Sequence, residues 1–198
     1  QQPNVTFEPS ALVSVTESKA TARSGRRYDL DVLVMATGFE AARPPAARRI
    51  TGRGGRLLSD HWADGMVSYA STVVSGFPNL FVIDGPNAAL GHNSAIYMIE
   101  TQLDYVLGAL DHLAATGTGW LEVTADAEEA YTREIDERSA ATVWLTGCDS
   151  WYVDPRSGRL TLLWPGTAES FRERNGTFDA GPFLPGPPRS AGMHEGSV

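Results

Sequence analysis

The chain has 198 residues, 42% of them hydrophobic, with a formal charge of -8 and a single cysteine. Such a length and composition support one large or two small domains with a buried core, and exclude a fibrous or disordered chain. The acidic balance, with a pI near 4.9, argues against the clustered basic face by which proteins track nucleic-acid phosphates. One basic group, Arg43, Arg48, Arg49, Arg53 and Arg56, lies in a Pro- and Gly-containing stretch and reads as a solvated surface. No apolar run approaches the ~18 residues of a membrane span and no signal-peptide pattern opens the chain. A cytoplasmic protein is expected, with neither nucleic acid nor membrane as partner. The first residue is Gln rather than Met, as expected of a piece of something longer.

Residues 4–23 read as short strands, with Leu12, Val13 and Val15 in a β-rich stretch and Ser24-Gly25 as a turn, together a small meander. It leads into Val32, Leu33, Val34 and Met35, which are apolar without a period-2 break and predict a strand over 32–36 buried on both faces. That strand stops at Thr37-Gly38, where glycine suits either an ordinary tight turn or close approach of the backbone to a ligand; Phe39 reads as packing. Residues 40–75 form a long, loose excursion with local packing at His61-Trp62 and Tyr69. A turn at Pro78-Asn79, an apolar strand from Leu80 to Ile83 and a second glycine stop at Gly85 follow.

The clearest periodicity predicts a helix over 94–114, with Asn93 or Ser94 as N-cap. Its expected buried stripe is Ile96, Ile99, Leu103, Val106, Leu107, Leu110 and Leu113, opposite Glu100, Asp104, Asp111 and His112. Trp120 to Val123 suggest a brief strand. A second helix is predicted over 126–141, with Asp126 and Glu129 as a capping box and favourable pairs Glu129–Arg133 and Glu134–Arg138. Eight of the last eighteen residues are Gly or Pro, so that tail is expected to be extended or mobile.

Several chemistries are poorly represented. Cys148 stands alone, so no internal disulfide or thiolate metal cluster is possible. His61, His92, His112 and His194 lack metal-ligand spacing. Asn4-Val5-Thr6 and Asn175-Gly176-Thr177 match the glycosylation pattern, but without a secretory signal they read as chance matches. Gly52-Arg53-Gly54-Gly55 and Gly117-Thr118-Gly119 open a G-x-G-x-x-G motif without completing it, and no G-x-S-x-G is present. His92 beside Ser94 is too short a signal for a catalytic triad.

What remains is a series of strand–glycine–helix junctions. In order, DVLVMATGFE, GRGGRLLSDHWADGMVSYAST, GFPNLFVIDGPN, MIETQLDYV and TVWLTGCDSWYVDPRSGRLTLLWPG resemble the C-terminal third of flavin-containing monooxygenases. The likeness is nearest to Baeyer–Villiger monooxygenases of the cyclohexanone and 4-hydroxyacetophenone monooxygenase kind, over about residues 28–170. The resemblance implies an α/β fold, the C-terminal portion of a two-dinucleotide-binding-domain flavoprotein. Residues 1–115 would return to the FAD-binding domain, 116–180 would form a C-terminal subdomain or lid, and 181–198 a Pro/Gly-rich tail. FAD and NADP are the implied cofactors, and a small-molecule ketone and O2 the implied reaction partners. The implied reaction inserts one oxygen atom of O2 into the ketone, through a C4a-peroxyflavin, to give an ester or lactone. An N- or S-oxygenating flavin monooxygenase, or a non-catalytic α/β binding module that kept the scaffold, is the alternative.

The resemblance also assigns site residues. Thr37 and Gly38 would approach FAD, as would Asn87, Asn93, Ser94 and Ala95, the last three at a helix N-terminus whose free N–H groups favour negative charge on reduced flavin. Leu90, Gly91 and His92 would line the substrate side of the ring; His92 reads equally well as a solvent-exposed loop residue. Trp144, Trp151, Tyr152 and Trp164 suit either an apolar ketone pocket or plain packing. The N-terminal FAD fingerprint, the NADP segment and the F-x-G-x-x-x-H-x-x-x-W stretch of the family are missing from these 198 residues, so the chain alone is expected to be inactive.

Overall fold

The computed structural model describes residues 2–36, 41–146, 150–184 and 186–188, and the chain divides into two compact units, Gln1–Phe39 and Glu40–Val198. In the first, β1 (Leu12–Val15), β2 (Lys19–Ala22) and β3 (Arg27–Asp29) form the expected meander, antiparallel in the order β1-β2-β3. Gly25, at φ 85°, makes the β2–β3 turn. Glu8 ties the meander together: its carboxylate accepts from the Ser10 hydroxyl at 2.6 Å, the Tyr28 hydroxyl at 2.7 Å and the Ser10 N–H at 3.1 Å. The Ser10 and Tyr28 hydrogen bonds hold that carboxyl down at about 2.

The strand predicted over 32–36 is absent. Val32, Leu33, Val34 and Met35 have no regular secondary structure and are exposed. A doubly buried strand exists only between paired neighbours and covering layers, and no described residue supplies them. Leu80 to Ile83 likewise form no strand: Phe81 bridges Val73, and Val82 N–H reaches the Thr72 carbonyl at 2.8 Å.

The second unit is built on α1 (Leu58–His61), α2 (Ala95–Thr116), α3 (Ala125–Ser139) and α4 (Ala168–Asn175). The stretch that reads as a loose excursion is in fact core: Ala47, Leu58, Trp62, Met66, Val74 and Phe77 pack together. Its charged fasteners are remote in sequence. Buried Asp154 pairs with Arg156, whose guanidinium also donates to the carbonyls of Trp62 (2.9 Å), Ala63 (3.0 Å) and Ala42 (3.0 Å). Arg159 clamps Asp136 of α3 and reaches the Met66 carbonyl.

Helix α2 begins after Ser94 and stops at Gly117 in the left-handed region, close to the predicted bounds. Its buried face is not the predicted one. Met98, Thr101, Gln102, Tyr105 and Ala109 face inward, whereas Ile96, Leu103, Leu107 and Leu110 are 62%, 44%, 58% and 47% exposed. The apolar stripe is therefore only partly covered by the described residues, with Ile99, Val106 and Leu113 half-buried, and the inward face holds the polar Thr101 and Gln102. Helix α3 begins one residue earlier than predicted. Thr124 is its N-cap, accepting from Ala127 N–H at 3.2 Å, so the box from Asp126 and Glu129 does not form; Asp126 and Glu128 instead sit in the first turn, where a negative charge suits the helix dipole. The Glu129–Arg133 and Glu134–Arg138 pairs form as expected.

Trp120 to Val123 form no regular strand, but this stretch and the start of the tail meet each other. Val123 bridges Phe183, Thr118 bridges Pro188, and Leu184 N–H donates to the Glu122 carbonyl at 2.9 Å. Among its described residues the tail is docked on 118–124 through Phe183, Leu184 and Pro188. Among the described residues no helix is long and apolar enough to cross a membrane.

Candidate functional site

The loop from Val82 to Ala95 carries most of the sequence-predicted site, and three fixed points shape it. At its start, Gln102 of α2 accepts from Asp84 N–H at 2.9 Å and donates to the carbonyls of Ser71 (2.6 Å) and Val82 (3.2 Å). In the middle, Asn87 holds φ 55° and is 4% exposed. Its side-chain amide donates to the Leu160 (2.6 Å) and Leu163 (3.0 Å) carbonyls, its N–H to Thr161, and its own carbonyl accepts from the Ser71 hydroxyl. The side-chain NH2, the backbone N–H and the backbone carbonyl of Asn87 are all engaged internally, so this residue shapes the loop. At the end stands the N-terminus of α2.

That terminus is open. Gly91, His92, Asn93, Ser94 and Ala95 are all exposed, Ser94 makes no side-chain cap, and no acidic residue occupies the first turn. The first N–H groups of a 22-residue helix therefore lack an intrahelical or side-chain cap and carry partial positive charge. Leu90 packs on the cluster of Ala88, Met98, Tyr131, Ile135, Trp164 and Phe171. Thr37 and Gly38 lie outside the described residues, as does Cys148.

Gly91 brings this loop to an aromatic wall. A Cβ placed there would lie 3.4 Å from the Trp144 ring and 3.7 Å from the Tyr152 hydroxyl. Tyr152 stands edge-on to Trp144, with centroids 5.1 Å apart, and beside Trp151 at 4.1 Å. Trp164 is elsewhere: it is buried, donates to the Ser170 hydroxyl and packs on Phe171. Trp151 and Tyr152 also line a cavity of about 410 Å3 whose other walls include Trp62, Met66, Pro86 and Leu162. Asp84 is the only carboxylate among its described lining residues.

Sequence reasoning missed this cavity because its walls come from four separate stretches of chain. Asp84, Trp62 and Met66 lie inside segments that resemble the family but were given no site role; the only local signal was a lone acid at the end of the apolar run Leu80–Ile83. The buried phenols are poor acid–base candidates. Burial pushes Tyr131 well above the ordinary phenol range, against the lowering effect of its Ser71 hydrogen bond, and burial likewise raises Tyr105. Among the described residues no three His, Cys, Asp or Glu side chains gather in a metal-binding group.

No protein-family model matches the chain. It is 40% identical over 181 residues to a Baeyer-Villiger monooxygenase of Pseudomonas aeruginosa, covering 91% of this chain and 34% of that protein. It is 38% identical to a Baeyer-Villiger monooxygenase of Streptomyces coelicolor, over 90% of this chain and 34% of the relative. Among solved structures, cyclohexanone monooxygenase from Rhodococcus sp. Phi1 bound to NADP+ superposes with a TM-score of 0.68 at 30% identity, covering 83% of this chain and 31% of that one. OTEMO in complex with FAD and NADP gives 0.65 at 27% identity, over 83% and 30%. The chain spans about a third of the length of the relatives it matches. In sequence and in fold it resembles a region, about a third in length, of Baeyer–Villiger-type flavin monooxygenases.

Proposed function

We propose that this chain serves in an FAD- and NADPH-dependent monooxygenase that converts a ketone, O2, NADPH and a proton into an ester or lactone, NADP+ and water. The observation that carries this reading is the 40% identity over 91% of the chain to a Baeyer-Villiger monooxygenase. The residues present fit a flavin: an uncapped, exposed helix N-terminus without acidic neighbours suits the electron-rich edge of a reduced ring.

In this reading the first-turn N–H groups of α2, with Asn93, Ser94 and Ala95, hold that edge of FAD. Bound FAD supplies the activation of O2, and NADPH supplies the hydride. The chain's own residues orient and exclude: Asn87 holds the loop in its left-handed bend, and Leu90, Gly91 and His92 line the substrate side. The Trp144–Tyr152 wall keeps water from the ketone.

The test is turnover of a ketone under 18O2 by an FAD-loaded protein of the relatives' full length that contains this chain. One 18O atom in an ester product, with NADPH consumed in equal amount, is expected. Recovery of only N-oxides or sulfoxides from amine and sulfide substrates, with no ester, would replace this reading by the N- or S-oxygenating alternative.

A further inference from the structure

The 410 Å3 cavity has a composition with a chemical consequence. Its volume falls in the range of small-molecule sites, about 300–1,000 Å3. Its walls are apolar and aromatic: Met66 and Trp62 from the core beneath, Ala46 from the adjoining turn, Tyr152 and Trp151 beside the mouth. Trp62 cannot serve as a donor to a ligand, because its Nε1–H is already given to the Val67 carbonyl at 2.8 Å. The exception to this apolar lining is Asp84, an exposed residue at φ 52° whose N–H is held by Gln102. A non-glycine residue in the left-handed region is held there by its surroundings, and here the Gln102 bond anchors the Asp84 backbone at the cavity wall.

We propose that this cavity receives the apolar body of a neutral ketone and that Asp84 is a specificity residue that turns away ketones carrying a negative charge. The identification of the ligand as a ketone rests on the function proposed above; the preference for a neutral apolar body rests on the cavity itself. A carboxylate on the ligand would meet the Asp84 carboxylate at a surface where two like charges a few ångströms apart weaken binding by about fivefold or more. It would also be desolvated against walls whose described residues include no cation.

Methyl-labelled methionine gives a site-specific readout in this 198-residue chain. Met66 lines the cavity, whereas Met98 is buried in a separate cluster. Titration with 4-phenyl-2-butanone is expected to shift the Met66 methyl resonance saturably and to leave Met98 unmoved. 4-(3-oxobutyl)benzoate, the same ketone with a ring carboxylate, is expected to bind at least about fivefold more weakly. Asp84→Asn should bring the two affinities together, and Ala46→Phe, at an exposed wall position, should abolish the Met66 shift for both while Met98 keeps its resonance. An unmoved Met66, equal affinities in the unsubstituted chain, or an unchanged difference in Asp84→Asn would overturn the proposal. Met66 binding without ester formation in the full-length test would leave the cavity standing and remove the oxygenation reading; ester formation with an unmoved Met66 would do the reverse.

Discussion

Gln102, in the middle of α2, donates its side-chain amide to the Ser71 carbonyl at 2.6 Å, and Ser71 in turn shares a hydroxyl hydrogen bond of 2.9 Å with Tyr131 of α3. The tight turn between Tyr69 and Val73 thus connects two helices, and the turn itself requires it: Ala70 and Ser71 both hold positive φ, at 51° and 52°. Two non-glycine residues in that region cost of order 1–3 kcal/mol each, and persist only when the surroundings over-determine them.

Gln102→Leu is the corresponding test. The substitution fits the volume but leaves the Ser71 and Val82 carbonyls and the Asp84 N–H without this partner. Each buried group left unpaired costs about 1–3 kcal/mol. A loss of about 2–5 kcal/mol is expected in urea unfolding, with an unchanged m-value.

The two faces of α2 should respond oppositely to substitution. Leu103→Glu together with Leu107→Glu removes exposed side chains and should alter the stability of this chain by less than about 0.5 kcal/mol. Tyr105→Ala, on the buried face, should cost about 3–5 kcal/mol through the cavity it leaves. A large loss from the leucine pair would show that the predicted stripe is the packed one after all.

Asp154 gives a dependence on pH. Burial by itself would raise its pKa, but the hydrogen bonds and charge of Arg156 outweigh burial and hold it below the usual carboxylate range. A folded pKa below the unfolded one of about 3.9 contributes stability that is fully present above that pH and lost as the pH falls through the folded value. Arg156→Met leaves the carboxylate buried without its cation and should cost about 3–5 kcal/mol at neutral pH. Burial then governs, so the variant's deficit should shrink on acidification. Thermal melts of both proteins between pH 7 and pH 3 measure this.

The α2 terminus makes an electrochemical prediction in an FAD-loaded, full-length protein containing this chain. If its N–H groups face the reduced flavin, Ser94→Asp should disfavour reduction by ~0.3–2 kcal/mol. At 30 mV per 1.4 kcal/mol for a two-electron couple, the midpoint potential falls by about 6–43 mV. Asp111→Asn, near the far end of the helix, is the control. An unchanged or raised potential in Ser94→Asp, with flavin content retained, removes residues 87–95 from the cofactor.

Local signals in the sequence were enough for the meander, the bounds of α2 and α3 within a few residues and the i,i+4 pairs of α3, though the cap expected of Asn93 or Ser94 does not form at Ser94. These depend on turn chemistry, periodicity and caps, which act over a few residues. The order of the glycine junctions was also legible, and through it the family. Which face of α2 is buried was not. Periodicity reports where an apolar stripe lies, but burial depends on what packs there, and the described residues pack on the Met98–Tyr105 side. The same reasoning separates Val32 to Met35, apolar yet exposed, from residues 40–75, irregular yet central. The bonds from Arg156 to Ala42, Trp62 and Ala63, the Gln102 network and the cavity at Asp84 join segments that are tens of residues apart in the chain. Only the tertiary structure decides such contacts, because buried polar groups take whatever partners the folded chain brings within hydrogen-bond reach.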